Sequence, residues 1–315
     1  MLFRNTEGEL NLPYPIDHRL IRQFVVAVEH GNITAASVAL HISQPALTKS
    51  IRKLEDFLGV KLLERHSRGV VPTVFGEVLL RRGKLVELEF EYAATEIEAL
   101  KGGKKGTIRI GTSPVFSTLY MPKVSAEIIQ TNPGVKIELT NGVLDTLIPS
   151  LLQGDLDIIC SALDFPDHPG IVKEHLINFE HAVFARDDHP LANHTDIDAT
   201  DLMAYEWIML AQDHIAISRL RSYFLANGIS PPRIAMETNS FETAFSVVKE
   251  GDFLTSASLS MVNFAQSSGL TLLPTKGTLW HFPAGVAYRR STSRPTPVIS
   301  VINSLKKAIG FRVLG

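Results

Sequence analysis

Gln44, Thr48, Lys49, Arg52 and Lys53 stand at helical spacing, so a helix through this stretch carries one amide, one hydroxyl and three cations along one side. Such a set suits the major groove of duplex DNA, where an amide pairs two-fold with adenine and cations reach guanine or phosphate. The helix needs a buried face to hold that side outward, and Leu47, Ile51, Leu54 and Leu58, at spacings of four, three and four, supply it. Ser43 is predicted to cap the first turn, and Pro45 falls where a missing backbone donor costs nothing. Downstream, strands predicted at 60–63 and 70–73 flank His66-Ser67-Arg68-Gly69, a wing with Arg65 and Arg68 at its tip. Guanidinium groups on such a hairpin fall on phosphate or in the minor groove. On an arbitrary helix a cationic face is merely solvated. Here the cap, the phased core and the basic hairpin follow one another in the order a winged helix-turn-helix requires.

A second set of polar residues follows predicted strand ends. Thr112-Ser113 comes after the first strand of the body, Asn141-Gly142 after the second and Ser161 after the third, while Asn239-Ser240 precedes a helix starting at Phe241. Hydroxyl and amide groups at helix starts suit a carboxylate or another small anion. Taken singly, each reads rather as an ordinary N-cap; together they are more telling. Phe116 and Phe241 are placed to flank a larger ligand, with Phe241 also readable as core. No nucleophile turn of the G-x-S-x-G kind, Walker loop, C-x-x-C pair or H-E-x-x-H helix occurs. His181, His189, His194 and His214 lie at spacings that suggest no metal site and read as surface or loop residues. No enzyme activity, cofactor or metal is expected.

Leu20, Phe24, Ala27 and Val28 mark one helix before the recognition helix. Asn32 is predicted to cap a second, whose apolar positions read as Ala35, Val38, Ala39 and Leu40, and His41-Ile42 make the turn. After Gly76, Leu79, Gly83, Val86, Phe90, Ala93, Ile97 and Leu100 alternate spacings of four and three, a heptad seam that asks for the same helix from another subunit, with Gly83 as its weak point. Gly102 to Gly106 end that helix as a hinge. Beyond it, strands and helices alternate: strands at 107–111, 135–140 and 157–160 with helices at 119–130 and 144–153. From about Phe165 a second series follows, with strands near 181–185, 207–210, 234–237 and 253–256 and helices at 218–227 and 241–250. The chain is predicted to recross near 267–272, adding a strand at 286–288 and a final helix at 297–311 to the first lobe. The fold class is therefore α/β overall: an arm at 1–16, a winged helix-turn-helix at 17–76, a linker helix at 77–101, a hinge at 102–106 and a two-lobed body at 107–315. Lobe 1 takes about 107–164 and 270–315, and lobe 2 about 165–269.

The 315 residues are 45% hydrophobic, enough for two or three domains with cores, which excludes general disorder. The net charge of −2 would by itself argue against a nucleic-acid partner. The charge is uneven, however, with Arg19, Arg22, Lys49, Arg52, Lys53, Lys61, Arg65, Arg68, Arg81, Arg82 and Lys84 gathered near the amino end. Cys160, the single cysteine, excludes an intrachain disulfide and reads as core packing at a strand end. The first residues lack the apolar core of a secretory signal and no stretch is long enough to cross a bilayer, so the expectation is a cytoplasmic protein without membrane contact.

Residues 18 to 76 closely resemble the N-terminal domain of LysR-type transcriptional regulators. The resemblance rests on Ala35-Ala36, Leu40, Ser43-Gln44-Pro45-Ala46-Leu47, Ile51, Leu54-Glu55, Leu58-Gly59, Leu62-Leu63, Glu64-Arg65 and Thr73 with Gly76. Lys49 departs from the arginine frequent at its position and offers a mobile point charge in place of a planar fork. Phe75 departs from the small residue that usually precedes the glycine. The body resembles the effector-binding domain of the same family, similar in fold to type 2 periplasmic binding proteins, through Pro122, Leu147, Leu151-Leu152, Gly154-Asp155-Leu156-Asp157 and His189-Pro190-Leu191. The resemblance implies a sequence-specific DNA-binding regulator controlled by a small effector. It implies inducer contacts at Thr112, Ser113, Asn141, Ser161 and Ser240, a homodimer through the linker helix, and the tetramer common in the family.

Overall fold

The computed structural model describes residues 16–66, 69–100, 106–290 and 296–313. The chain forms two compact units, Met1–Ala94 and Thr95–Gly315. In the first, three helices are each started by a side chain that accepts an otherwise unpaired backbone N–H. Asp17 caps α1 (His18–His30), Asn32 caps α2 (Ile33–Ala39) and Ser43 caps α3 (Gln44–Leu58), whose Ala46 N–H donates to Ser43 Oγ at 3.3 Å. Their shared core is Phe24, Ala27, Ile33, Ala36, Leu47, Ile51 and Leu54, closed by Leu62 and Val70. The apolar phase expected for α2 is wrong. Val38 is 71% exposed and Ala35 and Ala39 face solvent, while Ile33, Ala36 and Ser37 are buried and Leu40 half-buried. The inward face runs i, i+3, i+4, i+7 from Ile33, and Ser37 joins it because its hydroxyl donates to the Thr34 carbonyl at 2.8 Å.

The wing is β1 (Leu63–His66) paired antiparallel with β2 (Gly69–Pro72), running from Leu63 opposite Pro72 to His66 opposite Gly69. The first strand lies three residues nearer the tip than expected, because Val60 to Leu62 are spent joining the hairpin to α3. Arg65 therefore sits within β1, opposite Val70, and Arg68 lies outside the described residues. Gly69 is forced: its φ is +139°, and an added Cβ would lie 2.1 Å from the Gly31 carbonyl oxygen, to which the Val70 N–H donates. Thr73 then turns the chain into α4 (Val74–Leu100), its hydroxyl donating to the Lys61 carbonyl and accepting from Gly76 N–H. Gly83 is not a flaw in a seam. An added Cβ there would meet Ile21 and Val25 methyls at 2.8 and 2.9 Å, so glycine lets α1 approach α4. From Val86 onward, Val86, Phe90, Ala93 and Ile97 are exposed.

The second unit is built on one nine-stranded mixed sheet. Its amino-terminal part supplies β3 (Gly106–Thr112), α5 (Pro114–Leu119), α6 (Met121–Thr131), β4 (Val135–Asn141), α7 (Leu144–Gln153) and β5 (Ile158–Ala162), with β3 parallel to both β4 and β5. Of the expected hinge only Gly106 is described, and it opens β3. The chain leaves this lobe along β6 (Ile171–Arg186), sixteen residues where the sequence suggested only 181–185. Lobe 2 follows as α8 (Ala199–Met203), β7 (Glu206–Leu210), α9 (His214–Ala226), β8 (Ile234–Thr238), α10 (Phe241–Lys249), β9 (Phe253–Ser258), α11 (Val262–Ser267) and β10 (Leu270–Leu272), with β7 parallel to β8 and β9. The return was expected at 267–272 but comes later. β10 still pairs with the far end of β6, Leu270 opposite Arg186, and the crossing strand is β11 (Trp280–Arg289). β11 lies antiparallel along β6 from Trp280 opposite His181 to Arg289 opposite Ile171, and also pairs with β5, before α12 (Thr296–Val313) completes lobe 1. Two long antiparallel strands thus join the lobes. Cys160 is fully buried in the lobe 1 core, and burial pushes its thiol far above the ordinary range.

Candidate functional site

On α3, Leu47, Ile51 and Leu54 are buried and Leu58 half-buried, so the opposite side is held outward. Gln44, Pro45, Lys49, Arg52 and Lys53 are exposed there, with Thr48 half-buried beside them. Ser43 lies at the helix start as its cap, and Arg65 is exposed on β1. A group that periodicity does not single out fixes the helix to the wing. Glu55 is 7% exposed and accepts from the N–H groups of Leu62 and Leu63 at 3.0 and 3.4 Å and from Lys61 Nζ at 2.6 Å. Burial alone would raise its carboxyl, but the Lys61 ammonium and the two backbone donors outweigh it and hold the group below the usual carboxylate range. The exposed cations are therefore carried on a helix tied to the wing through a paired, buried carboxylate.

The second unit has a cavity of about 110 Å³ between its lobes. Ser113 and Ser161 line it from lobe 1, Phe241 and Met209 from lobe 2, and His181 and Trp280 from the two crossing strands. Ser113 starts α5 without capping it, and its buried Oγ has no hydrogen-bond partner. Arg219 Nη2 reaches across to Asp164 Oδ2 at 2.5 Å, and Asp164 Oδ1 remains buried and unpartnered. His181 stacks on Trp280 with ring centroids 4.4 Å apart, and its Nδ1 is likewise buried without a partner. Burial, with the Arg219 charge adding to it, pushes the His181 imidazole down to about 3, so it is neutral at physiological pH. Asp213, also on the wall, is raised by burial, and the nearby carboxylates Asp145 and Asp164 add to the shift against the Ala216 N–H. A wider chamber of about 320 Å³ adjoins the first, sharing Pro114, Val143, Leu210 and Phe241. Asn141, Ser117, Thr146, Gln212 and Asn239 line it.

Three residues expected at the cleft lie on neither wall, the first being Phe116, which is fully buried in the lobe 1 core. Thr112 is fully buried, its hydroxyl donating to Asn141 Oδ1 at 2.9 Å across neighbouring strands. Ser240 is the N-cap of α10: its Oγ accepts from Thr243 N–H and donates to Glu242 Oε2, both at 3.1 Å. A local helix start consumed that hydroxyl, as the capping alternative allows.

A model of the LysR substrate binding domain matches residues 101–310, and one of the bacterial regulatory helix-turn-helix protein of the lysR family matches residues 18–77. The chain belongs to the LysR family. Its members are DNA-binding transcriptional regulators with a substrate-binding domain for effectors, and its relatives are regulators, not enzymes. The HTH-type transcriptional regulator PcaQ of Agrobacterium fabrum is 28% identical over 300 residues, 94% of this chain and 96% of that protein. GbpR of Azospirillum brasilense, also an HTH-type transcriptional regulator, is 30% identical over 261 residues, 81% of this chain and 76% of that protein. Full-length CbnR, solved in complex with its target DNA, has the same fold, with a TM-score of 0.64 at 22% identity over 93% of this chain and 100% of that one. No described helix of this LysR-family protein is long and apolar enough to cross a membrane.

Asp164, His181, Arg219 and Trp280 escaped the sequence reading of this cleft. The histidine expectation was wrong in part: His181 lines the cavity, and His189 is buried, its Nδ1 accepting from Leu191 N–H at 3.1 Å within His189-Pro190-Leu191. His194 and His214 are exposed as expected. The position of His181 in a long mixed strand, NFEHAVF, was the available signal.

Proposed function

We propose that this regulator docks the exposed side of α3 in the major groove of its operator and that a small-molecule effector, carrying a carboxylate or comparable anionic group, binds between the two lobes of its body. The observation that carries the DNA reading is the pairing of a buried Leu47-Ile51-Leu54 stripe with exposed Gln44, Lys49, Arg52 and Lys53 on one helix. In this reading Gln44, Thr48 and Arg52 face base edges, Ser43 and Pro45 bring the helix start to the backbone, and Lys49, Lys53, Arg65 and Arg68 neutralise phosphate. Two copies of the chain pair through α4, where Val86, Phe90, Ala93 and Ile97 leave an apolar seam uncovered, giving a dimer that reads two half-sites. A tetramer and a cytoplasmic setting accompany this reading by family resemblance.

Support for the effector end comes from the unpartnered Ser113 hydroxyl and from Arg219, whose guanidinium has more N–H donors than one carboxylate contact uses. Ser161 and Phe241 line the same cavity from opposite lobes, and Asn141 lines the outer chamber. Lobe closure shifts the population of dimer arrangements and so changes how paired dimers contact or bend DNA; the effector acts only through its differential affinity for those arrangements.

Charge removal at Lys49 or Arg52 is expected to weaken operator binding by roughly 1–3 kcal/mol for each base-specific contact, and loss of a phosphate contact to lower the salt slope by about one. Fluorescence anisotropy across a salt series measures both. Parental affinity and slope in both variants would exclude this face. Ser113→Ala is expected to abolish the effector response in an operator gel shift while basal DNA binding persists, and an unaltered response would remove Ser113 from the site.

A further inference from the structure

We infer that the effector presents hydroxyl groups to the inner chamber, where Asp164 and His181 receive them. The inference rests on the effector reading above and narrows it. Three buried side-chain atoms without partners line this one cavity: Ser113 Oγ, Asp164 Oδ1 and His181 Nδ1. Buried polar groups in folded proteins are almost always paired, so a cluster of exceptions around one cavity marks it as the place where a partner binds. Asp164 decides the chemistry. Its side chain is 10% exposed and its other oxygen takes the Arg219 guanidinium; a carboxylate held in such a pair only accepts, so whatever meets Oδ1 must be a donor. An anionic oxygen fails that requirement. A ligand ammonium would donate but would lie beside the Arg219 guanidinium, 2.5 Å from the other oxygen of the same carboxylate. A hydroxyl meets every condition, since it donates to Asp164 and accepts from an imidazole or guanidinium N–H.

Size and lining agree. About 110 Å³ is less than the roughly 150 Å³ that encloses a benzene ring, so the inner chamber seats a head group and the remainder extends outward. The outer chamber offers hydroxyl and amide groups at Ser117, Asn141, Thr146, Gln212 and Asn239. The walls between, Phe241, Trp280 and Phe282, are aromatic and would cover the carbon faces of the ligand. A hydroxylated acid fits this arrangement, its hydroxyls at Asp164 and His181 inside the inner chamber and its acidic group beside Ser113, next to Pro114 where the two chambers adjoin. The hydroxyls could belong to a phenolic ring or to a polyol chain.

Isothermal titration calorimetry on the full-length protein with two matched pairs of probes tests this: benzoate against 3,5-dihydroxybenzoate, and hexanoate against gluconate. In at least one pair the hydroxylated member is expected to bind about tenfold tighter or better, and the pair that shows it tells ring from chain. Asp164→Asn is expected to cut that preference to below about threefold, because charge and acceptor strength are lost. Should that variant fail to fold, His181→Gln serves in its place, with the same loss of preference expected. Equal or tighter binding of both unhydroxylated probes, or no binding by either hydroxylated probe at millimolar concentration, overturns the inference. Operator gel shifts separate this from the effector reading. A hydroxylated probe that binds with the stated preference yet leaves operator binding unchanged sinks that reading and keeps the cavity chemistry. Benzoate or hexanoate shifting the operator as strongly as its twin does the reverse.

Discussion

On α3 the polar side chains point away from a finished core, whereas in the cleft polar atoms sit inside the protein with nothing to meet them. Glu55, buried beneath α3, has three donors, and the cations Lys49, Arg52 and Lys53 on the other side of that helix are exposed. Ser113, Asp164 and His181 instead hold unmet atoms within a cavity. A surface for a large charged polymer can be fully satisfied on its own, because water solvates its cations until counterions are released on binding. A pocket for a small molecule must withhold satisfaction, since specificity comes from buried groups that only the right ligand completes.

The sharpest way to break this contrast is to leave Glu55 out. Glu55→Ala strands the Leu62 and Leu63 N–H groups inside the core and is expected to destabilise the first unit by about 3 kcal/mol, with Glu55→Gln losing less because it keeps an acceptor. Amide hydrogen exchange at Leu62 and Leu63 measures it directly. The carboxyl is held below its ordinary value, so its contribution is present above about pH 4.3 and is lost as pH falls through the lower folded value. An Ala variant as slow to exchange as the parent would mean the frame does not depend on this group.

The two regions also differed in how far the sequence revealed them. The DNA-binding face was legible because its residues lie within fifteen positions of one another on a single helix, where a 3.6-residue period writes burial directly into spacing. The elements of the body were legible too, with α7 found at 144–153 and most strands placed within a few residues. The cleft wall was not. Trp280 meets His181 only because β6 and β11 run antiparallel along each other, while Asp164 follows β5 and Arg219 reaches it from α9, and no local period encodes these meetings. The late return through β11 had the same cause: β10 is a three-residue strand still paired to β6, and its sequence does not say which lobe it serves. The capping role of Ser240 was an open alternative from the start, and only the Thr243 N–H contact decides it.

Acid tests the cleft side of the contrast. The folded His181 imidazole titrates at about 3, well below the ordinary value near 6.5, so the unfolded chain takes up a proton first. Its contribution is therefore complete above about pH 6.5 and erodes as pH falls, by about 1.4 kcal/mol per pH unit at most, until the folded value of about 3 is reached. Both tryptophans, Trp207 and Trp280, lie in the second unit, so urea denaturation followed by their fluorescence reports this unit alone. His181→Gln should flatten the slope between about pH 6.5 and 5. An equally steep slope in the variant would assign the acid sensitivity to other groups.

The smallest expected effect bears on the place where spacing misled within the better-read region. Val38 follows Ala35 at three and precedes Ala39 and Leu40, so a β-branched apolar residue there looks like core, yet it is 71% exposed on α2. If burial is set by docking of the Ile33-Ala36-Ser37 face, as the structure has it, Val38→Ser removes little apolar area from contact and stays within about 0.5 kcal/mol of the parent. Ala36→Val, by contrast, adds two methyl groups at a fully buried contact and should cost about 1–3 kcal/mol by overpacking. Helix propensity alone would cost Ala36→Val no more than about 0.7 kcal/mol, so a larger loss reports packing. A Val38→Ser loss as large as that of Ala36→Val would restore the original phase and turn α2 by about half a turn against α1 and α3.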